Sequence, residues 1–319
     1  MKRTILAALG AAVLCAPAVR AQDILFGSTS ASSSHYGYIV AVGKLINDSD
    51  SGLSATVVET GAAMDNIRRM ERGQIDLGII TTNVVQHAVA GTKEFDGRPQ
   101  DLQLLWVYAP SPQNVIVRAD AGIDSLAALG GTRLNPGIKG SATETTTEAV
   151  FDVLGIAPDW VRGSTTDIVG AIKDNRLPGY VKSGTPKQLD SSTMDIAVST
   201  RIKVLGLDEA QARTVAEAMP DISIVDIAAG VGEDIPAYKT WSFGVGIAAT
   251  SAMSDDTAYQ IVKAVMEDKE VQANAFSVVK GADLAQMTLD YATVPLHPGA
   301  LRWFAEQGIE VPERLKPAM

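Results

Sequence analysis

Three loops rich in hydroxyl and amide groups are the first candidates for ligand contact, because each follows a predicted strand. Residues 27–34 read Gly-Ser-Thr-Ser-Ala-Ser-Ser-Ser, residues 60–62 read Thr-Gly-Ala and residues 81–83 read Thr-Thr-Asn. The carboxyl ends of parallel strands share one edge of a sheet, where ligands of α/β proteins bind. Hydroxyls and helix N-terminal N–H groups there bind anions such as carboxylates. Each loop alone is as typical of a turn or a cap, but together they predict one cleft.

A fourth loop of the same kind lies in the middle of the chain. Residues 137–143, Gly-Ile-Lys-Gly-Ser-Ala-Thr, join a short predicted strand to a helix. Ser141 and Glu144 have capping-box spacing, so Ser141 caps this helix, contacts a ligand, or does both. The predicted ligand-binding residues are Ser28, Thr29, Ser32, Ser33, Tyr36, Gly61, Ala62, Thr81, Thr82, Asn83, Lys139, Gly140, Ser141, Thr143 and Lys182.

The rest of the sequence offers no strong candidate for catalysis. The histidines, His35, His87 and His297, lie far apart and form no HExxH or His-x-His pattern, so no metal site is predicted. The sequence has no Gly-x-Ser-x-Gly elbow, Walker loop or dinucleotide fingerprint. The single cysteine, Cys15, lies near the start of the chain, which leaves the remainder without thiol chemistry. We expect no catalytic residue, no metal and no cofactor.

The composition of the chain is that of a folded, acidic protein. Hydrophobic residues make up 46% of the 319 residues and the mean hydropathy is +0.11, which excludes an intrinsically disordered chain. The formal net charge is -10, and a field of that sign repels phosphate backbones, so nucleic acid is not an expected partner. The length exceeds what one hydrophobic core usually holds, and two lobes are expected.

Residues 1–21 have the pattern of a signal peptide. Lys2 and Arg3 precede an apolar run, Ile5–Ala16, that is too short to span a bilayer as an ordinary helix. A buried N-terminal helix is the alternative interpretation. Leu14 stands where a bacterial lipoprotein signal needs a small residue, so lipid anchoring is not expected. The sequence therefore predicts export to the periplasm and cleavage after residue 21.

Short β-type runs alternate with amphipathic helical patterns in the remaining chain. The first three runs, separated by helices, predict a parallel sheet with helices on both faces. The pattern restarts near Thr132, and a late apolar run returns to the first sheet. We predict that Leu104–Val117 and Trp241–Ala249 cross between two lobes. The predicted boundaries are 22–116 plus 242–319 for lobe I and 117–241 for lobe II.

Several segments resemble a known family over nearly the whole chain after residue 21. They are Asp65-Asn66-Ile67, the Gly-Gln-Ile-Asp-Leu of residues 73–77, the Gly-Ser-Ala-Thr-Glu of residues 140–144 and the run from Val294 to Gly308. The last is the most specific, because its order of proline, histidine and glycine has no generic physical explanation. The chain resembles the solute-binding subunit of tripartite ATP-independent periplasmic (TRAP) transporters, of the TAXI type.

The resemblance implies an α/β protein with a two-lobed type II periplasmic-binding fold, each lobe a mostly parallel sheet flanked by helices. It implies a monomeric binding protein, not an enzyme, that closes on a small organic acid or amino acid such as glutamate or 2-oxoglutarate. The closed protein would deliver this ligand to the TRAP membrane subunits. His297 and Pro298 are expected to position the C-terminal helix.

Four positions depart from the usual family pattern. Ala63 lacks a hydroxyl that the family often has, and Asn83 replaces an acid, which favours an anionic ligand. Lys139 and Lys182 stand where small or apolar residues are more usual, and we expect one of them to neutralise the ligand in part. The alternative is that both are ordinary solvated lysines. An exported hydrolase and a sensor-partner protein of the same fold remain alternative functions.

Overall fold

The computed structural model describes residues 21–49 and 51–317. The predicted signal peptide and Cys15 lie outside the described residues, apart from Ala21. In the described part of the chain, no helix is long and apolar enough to cross a membrane. The strands are β1 (Gln22–Gly27), β2 (Leu53–Val58), β3 (Leu77–Thr81), β4 (Gln103–Arg118), β5 (Arg133–Leu134), β6 (Asp159–Trp160), β7 (Gly179–Ser183), β8 (Ile202–Leu205), β9 (Ser223–Ile227) and β10 (Tyr238–Ala249). The α-helices are α1 (Ser34–Asp48), α2 (Ala63–Glu71), α3 (Thr82–Ala90), α4 (Ala142–Val153), α5 (Thr165–Lys173), α6 (Ser191–Ala197), α7 (Glu209–Ala218), α8 (Asp255–Glu267), α9 (Val271–Ala275), α10 (Leu284–Tyr291) and α11 (Pro298–Glu306).

The first lobe is built on β1, β2 and β3, with the order β2-β1-β3-β10-β4 across its sheet. β1 pairs in parallel with β2 and β3, as the predicted alternation of strands and helices requires. β10 lies between β3 and β4 and is antiparallel to both. Strands β1 to β4 therefore run in one direction, and β10 runs against them.

The second lobe is built on β5 to β8 and receives the far half of β4. That half pairs antiparallel with β7 on one side and β8 on the other. β5 pairs in parallel with β6 and, through Asn135, with β7. Strands β5 to β8 thus run in one direction against β4. Each lobe is a mostly parallel sheet flanked by helices, which confirms the predicted fold class.

The two long strands β4 and β10 pair with strands of both groups: β4 with β10, β7 and β8, and β10 with β3, β4 and β9. β10 begins three residues earlier than the predicted Trp241, because Tyr238–Ser242 pairs with β9. The larger apolar cluster runs from Phe26 and Ile39 through Trp106 and Ile247 of these strands. The larger cluster continues into the second lobe at Phe151 and Leu205, and a smaller cluster around Ile172 and Tyr180 packs beside it there. The helix N-termini that follow β1 and β3 consequently lie at the edge of the sheet that faces the second lobe.

Candidate functional site

A small cavity of about 40 Å³ lies between the lobes, beside the carboxyl ends of β1 and β3. A cavity of that size admits one or a few water molecules, whereas pockets for drug-sized ligands measure about 300–1,000 Å³. Residues of the loops after β1 and β2 and the last residue of β3 line this cavity. The loop before α4 and the end of β7 close it from the second lobe.

Three helices of the first lobe begin beside the cavity. α1 follows Ser33, whose Oγ accepts a hydrogen bond from the His35 N–H. α2 follows Ala62, which has a φ of 71°, and α3 follows Thr81. Among the described residues, neither Ala62 nor Thr81 makes a side-chain capping bond. Asp65 N in the first turn of α2 donates to Gly140 O, but no side chain of the described residues caps either helix, and the dipoles of both N-termini favour a negative partner.

Three buried oxygens near these helix starts find no hydrogen-bond partner within residues 21–49 and 51–317. They are Ser28 Oγ, Thr81 Oγ1 and Asn83 Oδ1. Thr81 is only 5% exposed and lines the cavity. A buried polar atom without a partner costs about 1–3 kcal/mol. A ligand that hydrogen-bonds Thr81 would recover that free energy.

The first turn of α4 forms part of the opposite wall. Ser141 Oγ accepts a hydrogen bond from Glu144 N at 3.1 Å, so Ser141 both caps its helix and lines the cavity. Thr143 Oγ1 donates to Gln113 Oε1 at 2.8 Å. Glu144 Oε2 accepts from Gly140 N, one residue before the cap, so the reciprocal bond of the predicted capping box is displaced by one residue.

A buried ion pair belongs to the second-lobe wall. Lys182 Nζ lies 3.6 Å from Asp190 Oδ1, and the two side chains are 7% and 1% exposed. Ser33 Oγ and Ser34 N of the first lobe both donate to Asp190 Oδ2, at 3.1 and 3.0 Å. Burial raises the pKa of Asp190, but the Lys182 ammonium and the Ser192 hydroxyl outweigh it, so that pKa lies below its ordinary value. Asp190 is therefore an anion that bridges the lobes.

His35 belongs to the first-lobe wall and packs among aromatic rings. Its Nδ1 is 2.8 Å from the Tyr108 hydroxyl, and Tyr108 stacks on Tyr38 with ring centroids 3.9 Å apart. Burial lowers the pKa of His35 to about 4; Asp190 opposes this and Lys182 adds to it. The imidazole is therefore neutral at pH 7.

On the other side of the cavity the lobes meet through backbone atoms, at a place we call the rim contact. Asp65 N donates to Gly140 O at 3.1 Å. A Cβ on Gly61 would lie only 2.6 Å from Lys139 O. Glycine at position 61 thus permits an approach that any side chain would obstruct. The lobes are closed on each other on both sides of the cavity.

The structure places the predicted site residues in three groups. Those that line the cavity are Thr29, Ser33, Ala62, Thr81, Ser141, Thr143 and Lys182. Those at the rim contact are Gly61, Lys139 and Gly140, and Lys139 is exposed. Those beyond the cavity lining are Ser28, Ser32, Tyr36, Thr82 and Asn83.

Two of the residues beyond the lining have structural partners. Thr82 Oγ1 accepts a hydrogen bond from Gly244 N of β10 at 3.0 Å. Asn83 Nδ2 donates to Thr146 Oγ1 across the lobes, at 3.0 Å. The Thr82 hydroxyl therefore serves strand packing and the Asn83 amide nitrogen serves lobe contact, while Asn83 Oδ1 has no partner among the described residues.

Sequence reasoning missed more than half of the cavity lining. The additional lining residues are His35, Ala63, Ile79, Ser111, Ile138, Ala142, Val181, Ser183, Phe243 and Val245. Most are apolar and belong to strands or helices that read as core. Asp190 was also missed, and its one local signal is the Asp-Ser-Ser start of α6, where its side chain accepts from Ser192 N. No group of His, Cys, Asp and Glu within the described ranges is placed to hold a metal ion.

Solved structures with this fold include several periplasmic proteins. One described as a periplasmic transporter is 14% identical, with 92% of this chain and 100% of that chain covered and a TM-score of 0.55. The periplasmic binding protein BugD is 12% identical, with 91% and 99% covered and a TM-score of 0.53. A putative L-cystine ABC transporter from Listeria monocytogenes is 13% identical, with 85% and 98% covered and a TM-score of 0.52. At these identities the likeness establishes the two-lobed fold.

Membership of a family rests on the sequence itself. The model of the NMT1-like family matches residues 26–308, which is most of the chain and includes both lobes and both crossing strands. The chain belongs to the NMT1-like family.

Proposed function

We propose that this protein is an extracytoplasmic solute-binding protein that captures a small carboxylic acid between its lobes and does no chemistry on it. The observation that carries the proposal is the cavity between the lobes, where α2 and α4 begin beside the unpartnered Thr81 hydroxyl and the Lys182 ammonium. Helix N-termini, hydroxyl groups and an ammonium group are all donors, and a carboxylate is an acceptor. The periplasmic proteins of the same fold support this assignment.

A second, larger basin of about 650 Å³ lies at the opposite edge of the first-lobe sheet and fits this role less well. Its lining includes the carboxylates of Glu71, Asp76 and Asp101. These charges disfavour an anion. The cavity between the lobes, in contrast, is lined by a basic residue and by helix N-termini.

Capture requires the lobes to separate, because about 40 Å³ is less than an organic acid occupies. We assign lobe I to residues 22–116 plus 242–319 and lobe II to residues 117–241, and place the hinge in β4 and β10 where they leave one lobe for the other. Both strands are continuous there, so opening bends a two-stranded ribbon and leaves each lobe intact.

The finer assignments rest on the resemblance described above. They are a periplasmic location reached through a signal peptide at residues 1–21, a monomeric state, and delivery to the membrane subunits of a TRAP transporter of the TAXI type. Glutamate and 2-oxoglutarate are the ligands that the resemblance suggests. The predicted contacts are the cavity-lining and rim residues already named, with Lys182 nearer than Lys139 to any bound acid.

Mass spectrometry of ligand carried through purification, followed by a thermal-shift screen of organic acids, tests the proposal. A ligand that binds only the folded state raises the melting temperature by mass action. We expect an acid to be recovered unchanged after incubation, and the radius of gyration to fall when it saturates the protein. A new product, or no stabilisation by any carboxylate, contradicts the proposal.

A further inference from the structure

We infer that Asp190 is a specificity-determining residue that limits the ligand to a single carboxylate without an ammonium group. This inference rests on the proposed function and narrows it from carboxylic acids to monocarboxylates. It excludes glutamate and 2-oxoglutarate, the two acids that the resemblance suggests, because both carry two carboxylates and glutamate also carries an ammonium group. It starts from the place of Asp190 in the fold. Lys182 is on β7 and Asp190 is the N-cap of α6, so both belong to the second lobe. Their ion pair therefore needs no contact with the first lobe.

Both oxygens of the Asp190 carboxylate are already occupied by donors of the protein. Oδ1 accepts from Ser192 N and Ser192 Oγ, at 3.0 and 2.6 Å. Oδ2 accepts from Ser33 Oγ and Ser34 N. A ligand ammonium group would have to displace one of these bonds. The nearby Glu144 carboxylate is likewise engaged, by Gly140 N and by Arg162 Nε.

Lys182 is less completely satisfied than its partner. Its Nζ lies 3.5 Å from Ser33 Oγ and 3.6 Å from Asp190 Oδ1, both long distances for hydrogen bonds, while the residue lines the cavity. The ammonium group therefore keeps donor capacity for a ligand oxygen. Its charge, however, is already balanced by Asp190. The pair adds a donor to the cavity and no net charge.

The remaining positive potential comes from helix N-termini. Ser34 N, at the start of α1, already donates to Asp190. The first residues of α2 and α4 line the cavity, and each helix N-terminus is equivalent to about half a positive charge. Two such termini balance about one carboxylate. His35 adds no charge at pH 7, because burial keeps its imidazole neutral.

The rest of the lining offers no further positive charge to a second carboxylate. Ile79, Ile138, Val181, Phe243 and Val245 are apolar, and the other polar side chains, such as Thr29, Ser111 and Ser183, are neutral hydroxyls. A second carboxylate against these side chains would lose its water without gaining a partner, which is strongly unfavourable. The same side chains suit the hydrocarbon part of a short monocarboxylic acid.

Isothermal titration calorimetry with matched acids tests the inference. The probes are butanoate as the monocarboxylate, succinate as the dicarboxylate and 4-aminobutanoate as the amino acid. Homologues of each with one carbon fewer and one carbon more are also titrated, as are glutamate and 2-oxoglutarate. We expect the tightest monocarboxylate to bind the wild-type protein at least tenfold more tightly than any dicarboxylate or amino acid. Asp190→Asn leaves Lys182 uncompensated and should shift this ratio at least tenfold towards dicarboxylates. The control Asp226→Asn alters an exposed carboxylate paired with Lys239 and should leave the ratio unchanged.

The outcomes separate this inference from the proposed function. If a dicarboxylate or an amino acid binds the wild-type protein as tightly as any monocarboxylate, the inference is wrong and carboxylate capture stands. If the ratio of monocarboxylate to dicarboxylate affinity is the same in Asp190→Asn as in the wild type, Asp190 does not determine specificity. Should Asp190→Asn fail to fold, the wild-type ranking decides alone. If no acid binds, the proposed function is wrong and this inference with it.

Discussion

The two walls of the cavity satisfy their polar groups in opposite ways. On the second-lobe wall, Lys182 has Asp190, and Thr143 has Gln113, within the same lobe or on the shared strand β4. On the first-lobe side, Ser28 Oγ and Thr81 Oγ1 are buried and find no partner in the described structure. The second-lobe wall balances its charge within itself, with some donor capacity left on Lys182, whereas the first-lobe wall keeps buried hydroxyls without a partner in the described structure.

This difference indicates which property of the ligand each wall determines. Charge is fixed in the second lobe before any ligand arrives, so that lobe determines the ionic class of the ligand. Unpartnered hydroxyls in the first lobe gain free energy only when a ligand acceptor reaches them. The first lobe therefore contributes most to how tightly an acceptable ligand is held. The following predictions test that division, in order of decreasing effect.

Lys182→Met should lower the free energy of unfolding by about 3–5 kcal/mol, because it leaves the Asp190 carboxylate buried without its cation. The double variant Lys182→Met, Asp190→Asn should recover most of this loss. Urea denaturation of both variants measures the effect. Lys203→Met, which removes one member of an exposed pair with Asp124, is the control and should change stability by less than about 1 kcal/mol. Equal losses of stability in Lys182→Met and Lys203→Met would show that Lys182 and Asp190 do not behave as a buried ion pair.

The free energy of unfolding should fall by roughly 3 kcal/mol through His35 alone as the pH falls from about 6.5 to about 4. The pKa of His35 is lower in the folded state than in the unfolded state. Between these two pKa values the unfolded chain therefore binds a proton at His35 and the folded protein does not. This stability is fully present above pH 6.5 and is lost on acidification. Denaturation at several pH values should show a shallower slope for His35→Gln than for the wild type. Parallel slopes would place His35 in contact with water.

Gly61→Ala should weaken ligand binding at least tenfold, because the added Cβ would lie 2.6 Å from Lys139 O and prevent the rim contact. The radius of gyration at saturating ligand should then stay closer to its unliganded value, as small-angle scattering would show. Gly37→Ala is the matched control, because nothing lies within 4 Å of a Cβ at that position in α1. Wild-type affinity in Gly61→Ala would mean that full closure is not needed for binding.

Thr81→Val should weaken ligand binding by about 0.5–1.5 kcal/mol and leave the stability of the unliganded protein unchanged or slightly higher. Its hydroxyl has no partner in the described structure, so its loss costs nothing until ligand binds. Thr143→Val should instead lower the stability of the unliganded protein, because it breaks the hydrogen bond to Gln113. Calorimetry and urea denaturation on both variants make the comparison. A stability loss in Thr81→Val would show that the first-lobe hydroxyl is already satisfied.

The parallel pairing of β1 with β2 and β3, and the return of a late strand to the first sheet, could be predicted because they follow from local periodicity. Alternating strands and helices require parallel neighbours, and the late apolar run had to return to the first sheet. The C-terminal helix is a similar case: His297 Nδ1 accepts from Gly299 N, and Pro298 opens α11, as expected of positioning residues. The bond between Gly299 N and His297 Nδ1 spans only two residues in sequence.

The chemistry of the site was less accessible to sequence reasoning, because it depends on distant residues. Asp190 meets Ser33 across 157 positions, and only closure of the lobes brings them together. The sequence predicted Thr82 as a ligand contact, but β10 lies beside β3 and the Gly244 N–H of β10 donates a hydrogen bond to the Thr82 hydroxyl. Apolar lining residues such as Phe243 carry no polar signal at all. Local patterns identified the loops, and the fold decided which of their groups stay free.

The position of β10 between β3 and β4 has a consequence for the order in which the chain can fold as it emerges from its N-terminal end. β3 and β4 are not neighbours in the sheet, and each pairs with β10. Until residue 249 is available for pairing, both strands present unpaired edges and the first lobe is an incomplete sheet. The second lobe, whose strands β5 to β8 need only β4, can assemble earlier. In this protein the lobe that begins the chain is the last to be finished.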